Sequence, residues 1–431
     1  MIPAARVSAA IEVMADIEAR RRPASDALKD WGLSHRFAGS GDRAAIAAHV
    51  YDTLRRKASC AYVMGAATPR ALVLAALRLN GLSVEAIHDL CSGERFAPEP
   101  LTASERAALQ DPDLRAAPAP VQGDYPAWLD QALFEAFGEG RVEEAQAMTQ
   151  RAPVDVRVNG LLADRAQAMQ ALAHFNPQPT PYSPLGLRIA PRADGRPVSV
   201  QAEPAFQKGW VEIQDEASQL ASLLSRAKPG ETVIDLCAGG GGKTLALAAM
   251  MRNQGRLVAT DQDKRRLAPI FERLRRAEVQ CVEVRAPLTR HDEPLKDLKD
   301  AADCVVIDAP CTGTGTWRRN PDAKWRMRPA SFEARQHDQA QVLDRGADLV
   351  KEGGRLLYIT CSLLPAENDA AIEAFLARQS MFSLEPPEET ARRADLPALA
   401  PFRSLRGFGL QMTPKRCATD GFFVSLLHRR A

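Results

Sequence analysis

Neither a Cys-x-x-Cys pair nor a zinc-ligand spacing occurs among the eight cysteines of this 431-residue chain (Cys60, Cys91, Cys237, Cys281, Cys304, Cys311, Cys361 and Cys417), so no metal site is expected. No apolar run reaches membrane-spanning length, and Met1-Ile2-Pro3-Ala4-Ala5-Arg6 does not begin a signal peptide. The expectation is a cytoplasmic protein without a membrane partner, its cysteines reduced thiols. Net charge is only +2, which by itself points to no partner. Internal repeats and low-complexity tracts are absent, while a hydrophobic fraction of 45% is enough for packed cores. A chain of this length divides into two or three domains.

What is present begins with helices. Val7, Ile11 and Met14 repeat at helical spacing, as do Ile46, Val50 and Leu54 after a candidate N-cap at Asp42. Ala71–Leu79 is an apolar helix stopped before Gly81, Ser83–Cys91 has a Ser cap, and Thr102-Ala103-Ser104-Glu105 spells a capping box. Basic clusters stand at Arg20-Arg21-Arg22, Arg55-Arg56-Lys57 and Arg318-Arg319. Ala116-Ala117-Pro118-Ala119-Pro120 then reads as a linker. From Tyr125 to about Val200, a helix at Trp128–Phe137, a strand at Val154–Val158 and a helix at Ala163–Phe175 suggest a small α+β unit.

After Trp210 strands and helices alternate, the pattern of a parallel doubly wound α/β sheet. The expected strands are Thr232–Leu236, Leu257–Thr260, Cys281–Val284, Cys304–Ile307 and Arg355–Ile359, with a late one at Phe422–Leu427. The first runs into Cys237-Ala238-Gly239-Gly240-Gly241-Gly242-Lys243-Thr244, a glycine turn that lets a ligand approach backbone N–H groups at a helix start. The P-loop pattern fails because Cys237 stands where a glycine is needed, and the dinucleotide pattern fails at Thr244. Asp261, about twenty residues on at the end of the second strand, is placed to bind ribose hydroxyls. The loop therefore reads as a nucleoside-cofactor site, with S-adenosylmethionine (SAM) and NAD both open.

Two cysteine motifs narrow the choice. The fourth strand ends in Asp308-Ala309-Pro310-Cys311 and the fifth in Thr360-Cys361-Ser362, with Pro365-Ala366-Glu367-Asn368 opening the next helix. Ligands of doubly wound sheets bind beyond the carboxyl ends of the strands, and neighbouring strands lie roughly 4.8 Å apart, so both cysteines should face the cofactor crevice. Carbon 5 of cytosine is too electron-poor to accept a methyl group directly. A thiolate adding at carbon 6 makes the ring nucleophilic, an acid such as Asp308 can stabilise charge on the ring, and a base must then remove the carbon 5 proton. Cys361, just before an expected helix start, is placed to be that thiolate.

With these motifs in hand, the sequence resembles the bacterial 16S rRNA cytosine-5 methyltransferases of the RsmB/NOL1/NOP2/Sun family. The resemblance runs through Val211-Glu212-Ile213-Gln214-Asp215-Glu216-Ala217-Ser218, the glycine loop, both cysteine motifs and Thr419-Asp420-Gly421-Phe422-Phe423. It implies Cys361 as nucleophile, Cys311 as the residue that assists release, and SAM as cofactor, held by Cys237 through Lys243 with Asp261 and Asp308. The N-terminal residues resemble a NusB-type RNA-binding domain through their helix pattern and Tyr51–Arg55, which favours 16S rRNA as the partner. The implied architecture is a helical NusB-like domain over 1–115, a small α+β unit over 124–204 and a Rossmann-like SAM-dependent methyltransferase domain over 205–431, acting as a monomer. Two departures stand out: Gly239-Gly240 replace the family's Ala-Pro, and Pro287 stands where the family has an adenine-contacting Asp. Trp317, Arg318, Arg319, Lys324, Trp325, Arg326 and Arg328 mix aromatics with cations and are expected to line an RNA entrance. Two alternatives stay open. One is a non-catalytic RNA-binding or assembly factor on the same fold, the other a methyltransferase of another RNA such as tRNA.

Overall fold

The computed structural model describes residues 1–192, 198–287 and 292–431. The chain divides into two units, one built from Met1–Ala152 and the return segment Thr316–Met327, the other from Pro153–Ala190, Val198–Gly315 and Arg328–Ala431. These units do not follow the expected segments, because the helical one extends past the proline-rich stretch and takes back twelve residues from the cysteine-bearing region. Ala116–Pro120 does not act as a free linker: a short helix forms at Ala119–Gln122, and the buried Asp124 carboxylate accepts the Ser59 N–H at 2.9 Å and the Ser59 hydroxyl at 2.7 Å.

The helical unit is organised around Pro69–Leu79, whose residues Ala71 to Leu77 are all buried. A helix apolar on every face belongs at the centre of a bundle. Proline opens it without losing a needed donor, and the Thr68 hydroxyl caps Ala71 N–H. Pro3–Arg20, Ser40–Arg55 and Val84–Leu90 pack Met14, Ile46 and Ile87 around it, each burial contributing about 1.5–3 kcal/mol. The Thr102–Glu105 capping box forms as read. Asp42 is not a cap: Gly39 holds that position, and the Asp42 carboxylate accepts from the Met1 amino group at 3.1 Å and from Arg6 at 2.9 Å. The basic clusters are tied up in similar pairs, Arg22 with Asp16 and Asp30, and Lys57 with Glu18 at 2.7 Å. Among the described residues no single helix is long and apolar enough to cross a membrane.

In the second unit, a four-stranded antiparallel sheet has the order β2-β3-β1-β4, with β1 at Val154–Val158, β2 at Gln178–Pro179, β3 at Gly186–Ile189 and β4 at Val211–Ile213. The last strand lies past residue 204, because the small sheet needs an edge partner that the sequence pattern did not reveal. The large sheet comprises β5 (Thr232–Asp235), β6 (Arg256–Ala259), β7 (Val282–Val284), β8 (Ala302–Asp308), β9 (Val350–Thr360), β10 (Phe382–Leu384), β11 (Leu410–Met412) and β12 (Phe422–Arg429). Its order is β10-β12-β9-β8-β5-β6-β7, with β11 paired to β12; the five strands from β9 to β7 run parallel and β12 returns antiparallel beside β9. The central strands are buried on both faces, as parallel strands covered by helices must be. This is the expected Rossmann-like class. The order places β8 between β5 and β9, so the Asp308-Ala309-Pro310-Cys311 motif follows a strand flanked by those that carry the glycine loop and Cys361.

Candidate active site

β5 ends at Asp235, and the chain turns through Cys237 to Gly241 before the helix Gly242–Met250. Gly241 has φ +82°, and a Cβ there would lie 2.4 Å from Ile270 Cγ1, so only glycine makes this turn without strain. Asp261, at the end of β6, binds the loop directly: Oδ2 accepts the Gly239 N–H at 3.0 Å and Oδ1 accepts the Asp263 N–H at 2.9 Å. A carboxylate has about four lone-pair positions, so two such bonds leave room for a ligand hydroxyl. Arg273 donates to Gly240 O at 2.7 Å and pairs with Glu212, a partner of the loop that the sequence reading missed. Beneath the loop, burial pushes the Asp235 carboxyl up to about 7, while its Oδ2 accepts the Thr244 hydroxyl at 2.7 Å. Burial likewise pushes up the Cys237 thiol, leaving it a poor nucleophile. A crevice of about 790 Å³ opens beside Asp261, Gln262, Pro287 and Arg345.

The two motif cysteines meet. Cys311 Sγ and Cys361 Sγ lie 3.4 Å apart, although fifty residues separate them in sequence. The Cys311 thiol is pushed well up, first by its hydrogen bond to Cys361 and then by burial. Either sulfur can donate to the other in this contact. The helix expected to open at Pro365–Asn368 after Cys361 starts as a 3-10 turn over Pro365–Glu367, and regular α-helix begins at Asp369. Asp308, partly exposed at the end of β8, accepts from Lys243 Nζ at 2.6 Å, and that ammonium also lies 5.3 Å from the centre of the Phe422 ring. A carboxylate, its cation and two thiols thus stand at the carboxyl ends of adjacent parallel strands.

The remaining motifs are scaffolding. Asp215 caps the helix Glu216–Leu223 and accepts the Asp420 N–H at 3.0 Å, joining two stretches 205 residues apart. Gly315 N–H donates to Cys361 O at 2.9 Å and Gly421 N–H to Gly315 O at 2.8 Å. A Cβ on Gly315 would lie 2.0 Å from Gly421 O, so the Cys311 loop can be stitched to the β9 and β12 ends only through glycine.

The expected RNA entrance needs correction at several positions. Trp317 and Arg318 are buried, only 2% and 5% exposed, within the helical unit. Lys324 is also buried; its Nζ donates to Arg55 O at 2.8 Å and Asp124 O at 2.6 Å, and burial pushes it down to about 8. Trp325 donates its indole N–H to Leu54 O at 2.6 Å, and Arg326 pairs with Asp322 at 3.0 Å. An ammonium spent on two buried carbonyls cannot also hold a phosphate. Arg319 is half-buried and Arg328 exposed. Among the described residues no cluster of His, Cys, Asp and Glu could hold a metal ion.

The family model described as 16S rRNA methyltransferase RsmB/F matches residues 222–428, and the RsmF/B-like ferredoxin-like domain matches 125–194. The probable ribosomal RNA small subunit methyltransferase B of Synechocystis sp. is 32% identical over 72% of this chain and 67% of its own length. The ribosomal RNA small subunit methyltransferase B of Vibrio vulnificus is 31% identical over 71% of this chain and 67% of its own. Among solved structures, PH0851 superposes with a TM-score of 0.74 at 25% identity, covering 100% of this chain and 99% of that one.

Proposed function

Because this chain belongs to the 16S rRNA methyltransferase RsmB/F family, and is thus an rRNA methyltransferase, we propose that it transfers a methyl group from SAM to carbon 5 of a cytosine in 16S rRNA. The observation that carries this reading is the contact between Cys311 and Cys361 beside the Lys243–Asp308 pair. An enzyme methylating an already nucleophilic atom has no use for two thiols at the reacting end of the sheet.

The residues fit a SAM site. The Gly239–Gly242 backbone gives close approach and helix-start N–H groups, and Asp261 keeps lone pairs for the ribose. Bound there, the cofactor supplies an electrophilic methyl group. The rest falls to the chain. The Cys361 thiolate forms a bond to carbon 6 of the cytosine, the electron pair moves to the ring nitrogen, and Asp308 delivers a proton there that it draws from the Lys243 ammonium. Once carbon 5 carries the methyl group, a base takes its remaining proton, the carbon 5–carbon 6 double bond re-forms, and the Cys361 thiolate leaves. Cys311, in contact with Cys361, is placed to help remove that proton by steering the water that takes it.

Asp261→Asn should weaken SAM binding by about 1.5–3 kcal/mol, since the amide turns a donor toward loop N–H groups and loses the charge-assisted bond. Calorimetry of the purified protein reads this, and unchanged affinity would remove Asp261 from the site. For the reaction itself, the test is bisulfite sequencing of 16S rRNA from parent and deletion strains. One cytosine protected in the parent should become convertible in the deletion strain and regain protection on complementation. No change anywhere in 16S rRNA would sink the proposed target, leaving another RNA or a non-catalytic role.

A further inference from the structure

The contact between the two sulfurs needs a cause beyond the Gly315–Cys361 backbone bond, because the loops after β8 and β9 are irregular. Glu367 supplies one. It is fully buried, yet it lies outside the residues to which chemistry was assigned above. Its Oε1 accepts the Thr312 N–H at 2.8 Å and Gln339 Nε2 at 3.1 Å. Oε2 accepts the Thr312 hydroxyl at 2.5 Å and the Ser362 hydroxyl. Thr312 follows Cys311, and Ser362 follows Cys361. One carboxylate therefore holds the residue next to each cysteine.

We propose that Glu367 is the positioning residue of the two-cysteine centre, bridging the Cys311 loop to the Cys361 loop and so holding the two sulfurs in contact. The surroundings are built to hold Glu367 itself. Tyr358 donates its hydroxyl to Glu367 O at 2.7 Å, and Gln339 also donates to Pro310 O at 2.9 Å, bracing the Cys311 loop from the far side. Next to it, Asn368 Oδ1 accepts the Thr360 hydroxyl at 2.6 Å and its Nδ2 donates to Ser362 O at 2.9 Å. Thr314 completes the network, with its hydroxyl 3.1 Å from Ser362 Oγ and accepting the Leu363 N–H at 2.8 Å. A carboxylate desolvated to this degree is costly, and burial raises its pKa; four donors converging on it offset that cost. Thr312, Ser362 and Gln339 would each lose a buried partner if it were truncated.

The inference rests on the covalent reading of Cys361, and its test separates the two. The full-length protein is treated with dibromobimane, which bridges two thiols only when they are close, and the Cys311–Cys361 cross-link is followed by peptide mass spectrometry. Methylation is measured in parallel on rRNA. The wild type should cross-link these two cysteines, and Glu367→Ala should lose the cross-link. Its kcat should fall by about 10²-fold with KM for RNA little changed, the scale expected when reacting groups are displaced by an ångström. Glu367→Gln keeps an acceptor for the Thr312 N–H and can reverse the hydroxyl bonds, so it should restore both the cross-link and most of the rate. Thr312→Val, which removes one hydroxyl at a half-buried position, serves as the milder probe should Glu367→Ala not fold; it should reduce the cross-link and kcat together. If Glu367→Ala, or in its place Thr312→Val, cross-links and methylates like the wild type, the proposal is overturned. A cross-link that depends on Glu367 in a protein whose Cys361→Ala variant still methylates would uphold the positioning role and reject the covalent reading.

Discussion

Cys361→Ala should lose methylation by at least roughly 10⁴-fold and leave no protein–RNA adduct, whereas Cys311→Ala should accumulate one. The two thiols are 3.4 Å apart, so distance alone does not assign their roles. The resemblance through Thr360-Cys361-Ser362 makes Cys361 the nucleophile, and the Cys311 thiol, pushed up by its contact with Cys361 and by burial, is held away from the thiolate form that attack requires. After methyl transfer the demand reverses, since a proton must leave carbon 5 before Cys361 can be eliminated. Without Cys311, addition and methylation proceed while elimination stalls. A denaturing gel of labelled rRNA incubated with each variant and SAM reads the result. A trapped complex with Cys361→Ala, and none with Cys311→Ala, would reverse the roles. Unimpaired methylation by both would end the covalent mechanism.

How far the sequence carried this depends on whether a feature is local. The strands β5, β6, β8 and β9 were legible because apolar runs followed by turn residues mark buried parallel strands, and the glycine loop because its turn requires residues without Cβ. Juxtaposition of Cys311 and Cys361 followed from strand order once both were placed at strand ends. What stayed hidden was non-local. The segment Trp317–Arg326 reads as a basic aromatic surface, but its composition cannot show that Lys324 and Trp325 are consumed by the carbonyls of Arg55, Asp124 and Leu54, far away in sequence. Glu367 was visible only as part of a helix-opening tetrapeptide. A glutamate there usually serves its own helix, and only the fold shows its carboxylate joined to Thr312, fifty-five residues earlier. The helix expected to open at Pro365–Asn368 starts as a 3-10 turn for a related reason: Glu367 and Asn368 are spent on Ser362, and regular helix begins at Asp369.

Asp308 and Lys243 should prove to be one functional unit. Their side chains meet at 2.6 Å, the Lys243 ammonium largely buried and the Asp308 carboxylate about one-third exposed. The Lys243 ammonium also lies 5.3 Å from the centre of the Phe422 ring. The exposed part of Asp308 is the carboxyl nearest the end of β8, where a cytosine ring attacked by Cys361 would lie. Asp308→Asn keeps the shape but cannot carry a proton to the ring nitrogen, and it should lower kcat by about 10²–10³-fold, within the usual cost of losing a general acid. Lys243→Met leaves the carboxylate without its counter-charge and should cost a similar factor. Because each substitution already disables the pair, the double variant should be little worse than either single one, instead of multiplying their effects. SAM affinity by calorimetry tells the possible roles apart, since Asp308 also borders the glycine loop through Lys243. Intact SAM binding with a slow reaction places Asp308 at the cytosine ring. A defect confined to SAM affinity would make it a cofactor ligand only, and multiplicative losses in the double variant would show that the two residues act separately.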